Sequence, residues 1–145
     1  QNPDAMFVYF GQVDEFGHGA VDSRANFSPD STLYLNAISH VDSHVGELIR
    51  AMRSRPKFAE EDWLVLITTD HGGRGNSHGG DSEAERNIWL VAHGAKLPRE
   101  RLLNEPVPQT ALVPMIYAHL GIKPKPEWTP EPPKPPPSPE PAKKP

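Results

Sequence analysis

The sequence contains no cysteine. Disulfides and thiolate metal sites are therefore excluded, and any zinc-type site has to be built from His and Asp. No apolar run approaches the ~20 residues that a membrane helix needs, and no signal peptide is visible. Positive charge is not in excess either. Lys and Arg number 15 against 19 Asp and Glu, for a net charge of −4. That balance argues against a nucleic-acid polymer or an anionic membrane as the main partner. The chain opens on Gln1 rather than Met, with an apolar run beginning at Met6. The expectation is a domain incomplete at its N-terminus.

Proline is abundant, with 18 residues, and crowds the end of the chain. A length of 145 residues allows one domain. Residues 1–122 are the foldable part, large enough to bury a core. Residues 123–145 alternate Pro with Glu and Lys. Such a tail cannot bury a core and is expected to be extended polyproline II or disordered. A solvated linker is the favoured reading, and docking to a Pro-binding protein partner the lesser one.

Met6-Phe7-Val8-Tyr9-Phe10 reads as a buried strand ending at Gly11. Residues 12–27 are polar and glycine-containing and read as a loop. Ser28-Pro29-Asp30 reads as a helix start, with Ser as N-cap and Pro at the first helical position. Tyr34, Ile38, Val41, Val45, Leu48 and Met52 then recur at steps of three and four, one stripe of an amphipathic helix. Trp63 to Thr68 is a continuous apolar run, suited to a strand of a parallel sheet covered on both faces. Residues 70–81 form a Gly-rich loop, and Ile88 to Ala92 another strand. Residues 109–120 form a helix closed by Gly121; Pro114 requires it to kink or to start late. The order implies an α/β fold with helices on both sides of a largely parallel sheet. Ligands bind beyond the carboxyl ends of such strands, where Asp14, Asp70 and His71 are expected to share one rim.

Three short constellations carry chemistry. In Asp14-Glu15-Phe16-Gly17-His18 a carboxylate and an imidazole stand four residues apart after a strand, and a loop can fold both onto one ion; a surface Asp and a solvated His explain it equally. In Thr69-Asp70-His71-Gly72-Gly73 two adjacent ligand types sit where an apolar strand breaks. A charged Asp there needs a partner, or it caps a turn. His78-Gly79-Gly80 adds a third imidazole, weak alone. Together, three His and two Asp suit zinc or manganese better than magnesium or calcium. His40 and His44 also stand four apart, but they flank the apolar stripe and read as a solvated face.

The series Asp-x-x-Gly-His, then Thr-Thr-Asp-His-Gly-Gly, then His-Gly resembles the alkaline phosphatase superfamily, in particular its type I phosphodiesterase/nucleotide pyrophosphatase branch. The stretch from Phe7 to Ile122 resembles the C-terminal half of that catalytic domain. The resemblance implies a metal-dependent hydrolase of phosphate mono- or diesters. Asp14, His18 and His78 would bind one divalent ion, Asp70 and His71 a second, with Zn2+ favoured and Mn2+ the alternative. A further Asp and a Thr or Ser nucleophile would come from the N-terminal half; Thr68 and Thr69 do not match that position. The implied reaction is in-line attack at phosphorus, assisted by two ions ~3.5–4 Å apart. A small-molecule phosphoester is the implied substrate, and a periplasmic or extracellular location is favoured. Manganese-dependent phosphomutases and sulfatases share parts of the pattern. A non-catalytic half-domain with a Pro-rich interaction tail is the rival from another class.

Overall fold

The longest regular element is set by its first residue. The Ser31 side chain accepts the Tyr34 backbone N–H at 3.4 Å and caps a 22-residue helix, Thr32–Arg53. In the computed structural model, which describes residues 3–97 and 106–128, Ser28 lies one turn earlier than the helix proper. Its hydroxyl accepts Asp30 N–H and its carbonyl accepts Ser31 N–H. Ser28-Pro29-Asp30 is thus a turn feeding the helix, and the cap falls three residues later than the sequence reading put it. The two serines offer similar local chemistry, and the helix begins at the second. Arg50 and Arg53 occupy the last turn, where positive charge opposes the helix dipole.

The chain divides into two compact units, Gln1–Arg101 and Leu102–Pro145. The first holds α1 (Gln12–Gly17), α2 (Thr32–Arg53), β1 (Leu64–Thr68), α3 (Glu83–Arg86) and β2 (Leu90–Gly94). Segment 12–27 is therefore not all loop. At six residues, with no side-chain cap, α1 is too short to leave a periodic pattern. It packs on α2. Gln12 Nε2 donates to His40 Nδ1 at 3.4 Å, and the Phe10 ring stacks on His44 at 6.0 Å. These contacts partner the two helix histidines that the sequence reading left solvated.

β1 and β2 pair antiparallel, from Leu64 opposite Gly94 to Thr68 opposite Leu90. The Thr68 hydroxyl closes the end of the pair by donating to the Trp89 carbonyl at 2.7 Å. Helices and sheet together agree with the α/β expectation. This strand pair does not follow the expected parallel order, because a parallel return needs a crossover element. The connection here contains α3, four residues long, and is otherwise loop. The second strand also runs two residues later than its apolar pattern suggested. Met6–Phe10 forms no strand, and Phe7 is 89% exposed. A strand exists through a neighbour's backbone, and no ladder or bridge among the described residues pairs with this segment.

Among the described residues, the hydrophobic side chains that are fully buried are Ala25 and Ala37. The core is thinner than the chain length led one to expect. On α2, Ala37 is buried while Ile38 and Leu48, two members of the predicted stripe, are exposed. The buried face is thus rotated toward Ala37.

In the second unit a 3-10 turn, Gln109–Ala111, leads into α4 (Leu112–Leu120). The helix starts late, as Pro114 requires. Pro114 is its third residue, in the first turn, where a missing N–H costs no intrahelical bond. Gly121 closes it at φ +67°, and Ile122 N–H donates to the Tyr117 carbonyl at 2.9 Å. The Tyr117 ring lies 6.3 Å from that of Trp128, over which Lys125 Nζ sits at 5.1 Å. Most of the Pro-rich tail, residues 129–145, lies outside the described residues.

The rotated face is testable. Ala37→Leu is expected to overpack the buried face of α2 and cost about 1–3 kcal/mol, and Ile38→Ala to cost less than about 1 kcal/mol. Urea unfolding of both variants checks this, and the reverse order would restore the stripe read from sequence.

Candidate metal centre

The first pair of ligands is placed by α1. His18 N–H donates to the Asp14 carbonyl at 2.9 Å, so the helical bond continues through His18. Residues four apart share a helix face, and the two side chains meet at 3.5 Å.

The second group comes from the loop that follows β1. Glycine allows its bends, with Gly75 at φ +60° and Gly79 at φ +93°. Backbone bonds tie the loop down at several points. Phe27 N–H donates to the Gly75 carbonyl at 2.7 Å, and Gly72 N–H to the Glu85 carbonyl at 2.8 Å. α3 begins with a capping box in which Ser82 and Glu85 exchange hydrogen bonds. The Glu85 carboxylate also accepts Gly80 N–H at 2.9 Å. The Ser82 hydroxyl, then the backbone N–H groups of Gly80 and Ser82, hold the Glu85 carboxyl below its ordinary value of 4.5. One glutamate thus fastens both ends of the loop that carries His71 and His78.

These supports bring three imidazoles to one carboxylate oxygen. Asp14 Oδ1 lies 3.4 Å from His78 Nε2, 3.5 Å from His18 Nε2 and 3.7 Å from His71 Nε2. It is buried and has no hydrogen-bond partner, although the Asp14 side chain as a whole is partly exposed. The tautomers explain why. His18 Nδ1 bonds the Asn76 carbonyl at 2.9 Å, and His71 Nδ1 the Gly72 carbonyl at 2.8 Å. A carbonyl only accepts, so each Nδ1 carries the hydrogen. In the neutral rings each Nε2 then presents a lone pair toward Asp14. Lone pairs and a carboxylate aimed at one another repel unless a cation lies between them.

The donor set fits such a cation. Ligands ~2.0–2.1 Å from a tetrahedral zinc stand about 3.3 Å apart, close to the spacings around Asp14. Carbonyl-held Nδ1–H groups are the usual outer support of metal-binding histidines. Asp14, His71 and His78 offer ligand atoms within 4.8 Å of one another. His18 adjoins them through Asp14. Asp70 stands at the rim, its side chain 69% exposed and its Oδ1 3.8 Å from His71 Nε2. The group therefore mixes residues that the resemblance divides between two ions.

One comparison with known families finds a match. The family model described as type I phosphodiesterase / nucleotide pyrophosphatase matches residues 1–126. The chain belongs to this family. No curated protein and no solved structure gives a significant match. Membership of the type I phosphodiesterases makes the chain a hydrolase-type protein of the alkaline phosphatase superfamily. Among the described residues no helix is long and apolar enough to cross a membrane.

The sequence reading missed the residue that the candidate ligands pack against. The Phe27 ring meets His18 edge-on at 5.3 Å, His78 at 6.0 Å and His71 at 6.4 Å, with Tyr34 on its other side at 5.6 Å. Burial, with the charge of Asp14 adding to it, raises the Tyr34 hydroxyl above its ordinary value. Phe27 fits because two glycines of the recognised motifs make room. A Cβ at Gly17 or at Gly73 would overlap its ring. Those glycines were the available signal, since each belongs to one of the recognised motifs and packs against a large side chain.

Gly73→Ala is expected to displace Phe27 and cost about 1–3 kcal/mol; melting of the metal-free chain checks it, with Gly75→Ala, whose Cβ meets nothing within 4 Å, separating backbone strain from overlap. Acid stability gives a second test. Because the folded-state value of Glu85 is lowered, its contribution is full above 4.5 and is lost as pH falls through that lowered value. Glu85→Gln is expected to flatten the acid side of the stability profile. An unchanged profile would remove Glu85 from the loop's support.

Proposed function

We propose that this chain provides five ligands of a two-ion phosphoester hydrolase site. Asp14, His18 and His78 hold one divalent ion, and Asp70 and His71 the second, with Zn2+ favoured over Mn2+. The substrate class is a small phosphate mono- or diester. The observation that carries the reading is the buried Asp14 Oδ1 ringed by three imidazole Nε2 atoms at 3.4–3.7 Å. The α/β sheet of the family, largely parallel, is the expected frame, with residues 1–122 contributing its C-terminal part.

Bound divalent ions supply Lewis-acid charge for a phosphoryl oxygen and for the attacking and leaving oxygens. The chain's own residues set the conditions for this. Asp14 and Asp70 bring negative charge to balance the ions. His18 and His71 present Nε2 because their Nδ1–H groups are spent on carbonyls. Phe27 backs the ligands with an apolar ring, keeping water from their inner side and strengthening electrostatic interactions at the centre. The Gly-rich loop lets phosphate oxygens approach without side chains in the way. No residue of this chain is assigned as nucleophile.

Metal titration tests the reading. The metal-free chain is expected to take up Zn2+ in calorimetry. Asp14→Ala should weaken uptake at least tenfold, about 1.4 kcal/mol, and Asp70→Ala should weaken it more than His40→Ala. Equal losses in all three variants would mean that the ligands are wrongly chosen. Inorganic phosphate should bind the zinc-loaded chain and not the metal-free one. Hydrolysis of bis(4-nitrophenyl) phosphate that survives chelation would sink the metal-dependent reading.

A further inference from the structure

Between the two ligand motifs of the loop lies Arg74-Gly75-Asn76-Ser77. It folds as a tight turn: Arg74 N–H donates to the Ser77 carbonyl at 2.9 Å and Ser77 N–H to the Arg74 carbonyl at 3.2 Å. Gly75 takes the positive φ. The turn presents Asn76 to a distant part of the chain. Asn76 Nδ2 donates to the Ala25 carbonyl at 2.7 Å and to the Gly17 carbonyl at 3.2 Å. Two carbonyl partners require two amide hydrogens, which orients the amide. Ala25 and Gly17 are buried, so their carbonyls depend on such a donor. The backbone carbonyl of Asn76 then accepts His18 Nδ1–H at 2.9 Å. Room for this is kept by Gly19, at φ +69°, where a Cβ would lie 3.1 Å from Asn76 Nδ2.

We propose that Asn76 is a positioning residue that sets the tautomer of His18; its effect on metal affinity rests on the metal-site reading above. Its side chain fastens the turn to the end of α1 and to Ala25. Its carbonyl is thereby held where it selects the Nδ1–H form of His18, leaving Nε2 for the ion. The same turn ends at Ser77, the residue before His78, so one anchor registers His18 of the first motif against His78 of the third. Asn76 itself touches neither substrate nor ion.

The test uses nitrogen-resolved NMR of the imidazole rings in the metal-free 145-residue chain at a pH where His18 is neutral, with zinc calorimetry on the same samples. Wild-type His18 is expected as the Nδ1–H form. Asn76→Asp turns a carboxylate toward two carbonyls and removes the donor. It is expected to shift His18 toward Nε2–H and to weaken zinc binding about 10–100-fold. The added negative charge alone would strengthen cation binding, so a loss runs against simple electrostatics. Asn76→Ala should give the same tautomer shift without the charge. A mixed tautomer in the wild type overturns the proposal, and that measurement stands even where the variants fail to fold. Weaker zinc binding with the His18 tautomer unchanged also overturns it. Failure of the wild type to bind zinc would defeat the functional reading alone, because the tautomer of His18 would still decide the role of Asn76.

Discussion

Asp14 Oδ1 faces three imidazole nitrogens, and at least two of them have their ring hydrogens committed elsewhere. Electrostatically such an arrangement is unfavourable by itself, since a carboxylate oxygen and lone pairs point at one another. It is held by contacts that lie around it. α1 sets Asp14 and His18 on one face, the turn at Gly75 and Asn76 sets the loop against α1, and Glu85 fastens the loop's far side. Preorganisation of this kind is what a tight cation site needs, because the repulsion is borne by the fold before the ion arrives.

The support is polar and local rather than a large apolar core. Fully buried hydrophobic residues among those described are two alanines. Phe27 provides most of what apolar order the site has, with three ligand rings on one side and Tyr34 on the other. Its seat requires glycine at positions 17 and 73. These glycines neighbour His18 and lie two residues from His71, so the motif spacing serves packing as well as ligation. Gly-rich here does not mean loosely held. Gly75 bends the chain for the turn, while Gly73 makes room for a ring.

Long and strongly patterned elements were legible in the sequence. β1 is within a residue of the apolar run that announces it, and α2 is within a turn of its expected start. Pro114 called for a kink or a late start in α4, and the late start is the one that occurs. Short elements were not legible. α1 spans six residues, fewer than two turns, and its geometry comes from packing on α2. The direction of the β1–β2 pair was not legible, because an apolar run reports burial and not the direction of its neighbour. The ligand types were recognisable by composition and company. Phe27 and Asn76 were not, because each acts across about fifty residues of chain through contacts that no local pattern encodes.

One feature of the ligand cluster bears on how two ions could share it. His71 and His78 stack at 3.7 Å with their planes 20° apart, and both reach Asp14. As the rings stand, both Nε2 atoms are directed at the same carboxylate oxygen. In the two-ion assignment His71 belongs with Asp70, which already lies 3.8 Å from it. A rotation of the His71 side chain away from Asp14 and toward Asp70 would part the rings and turn one crowded group into two. Charge favours the same division, since in the two-ion reading each ion keeps one carboxylate and at least one imidazole.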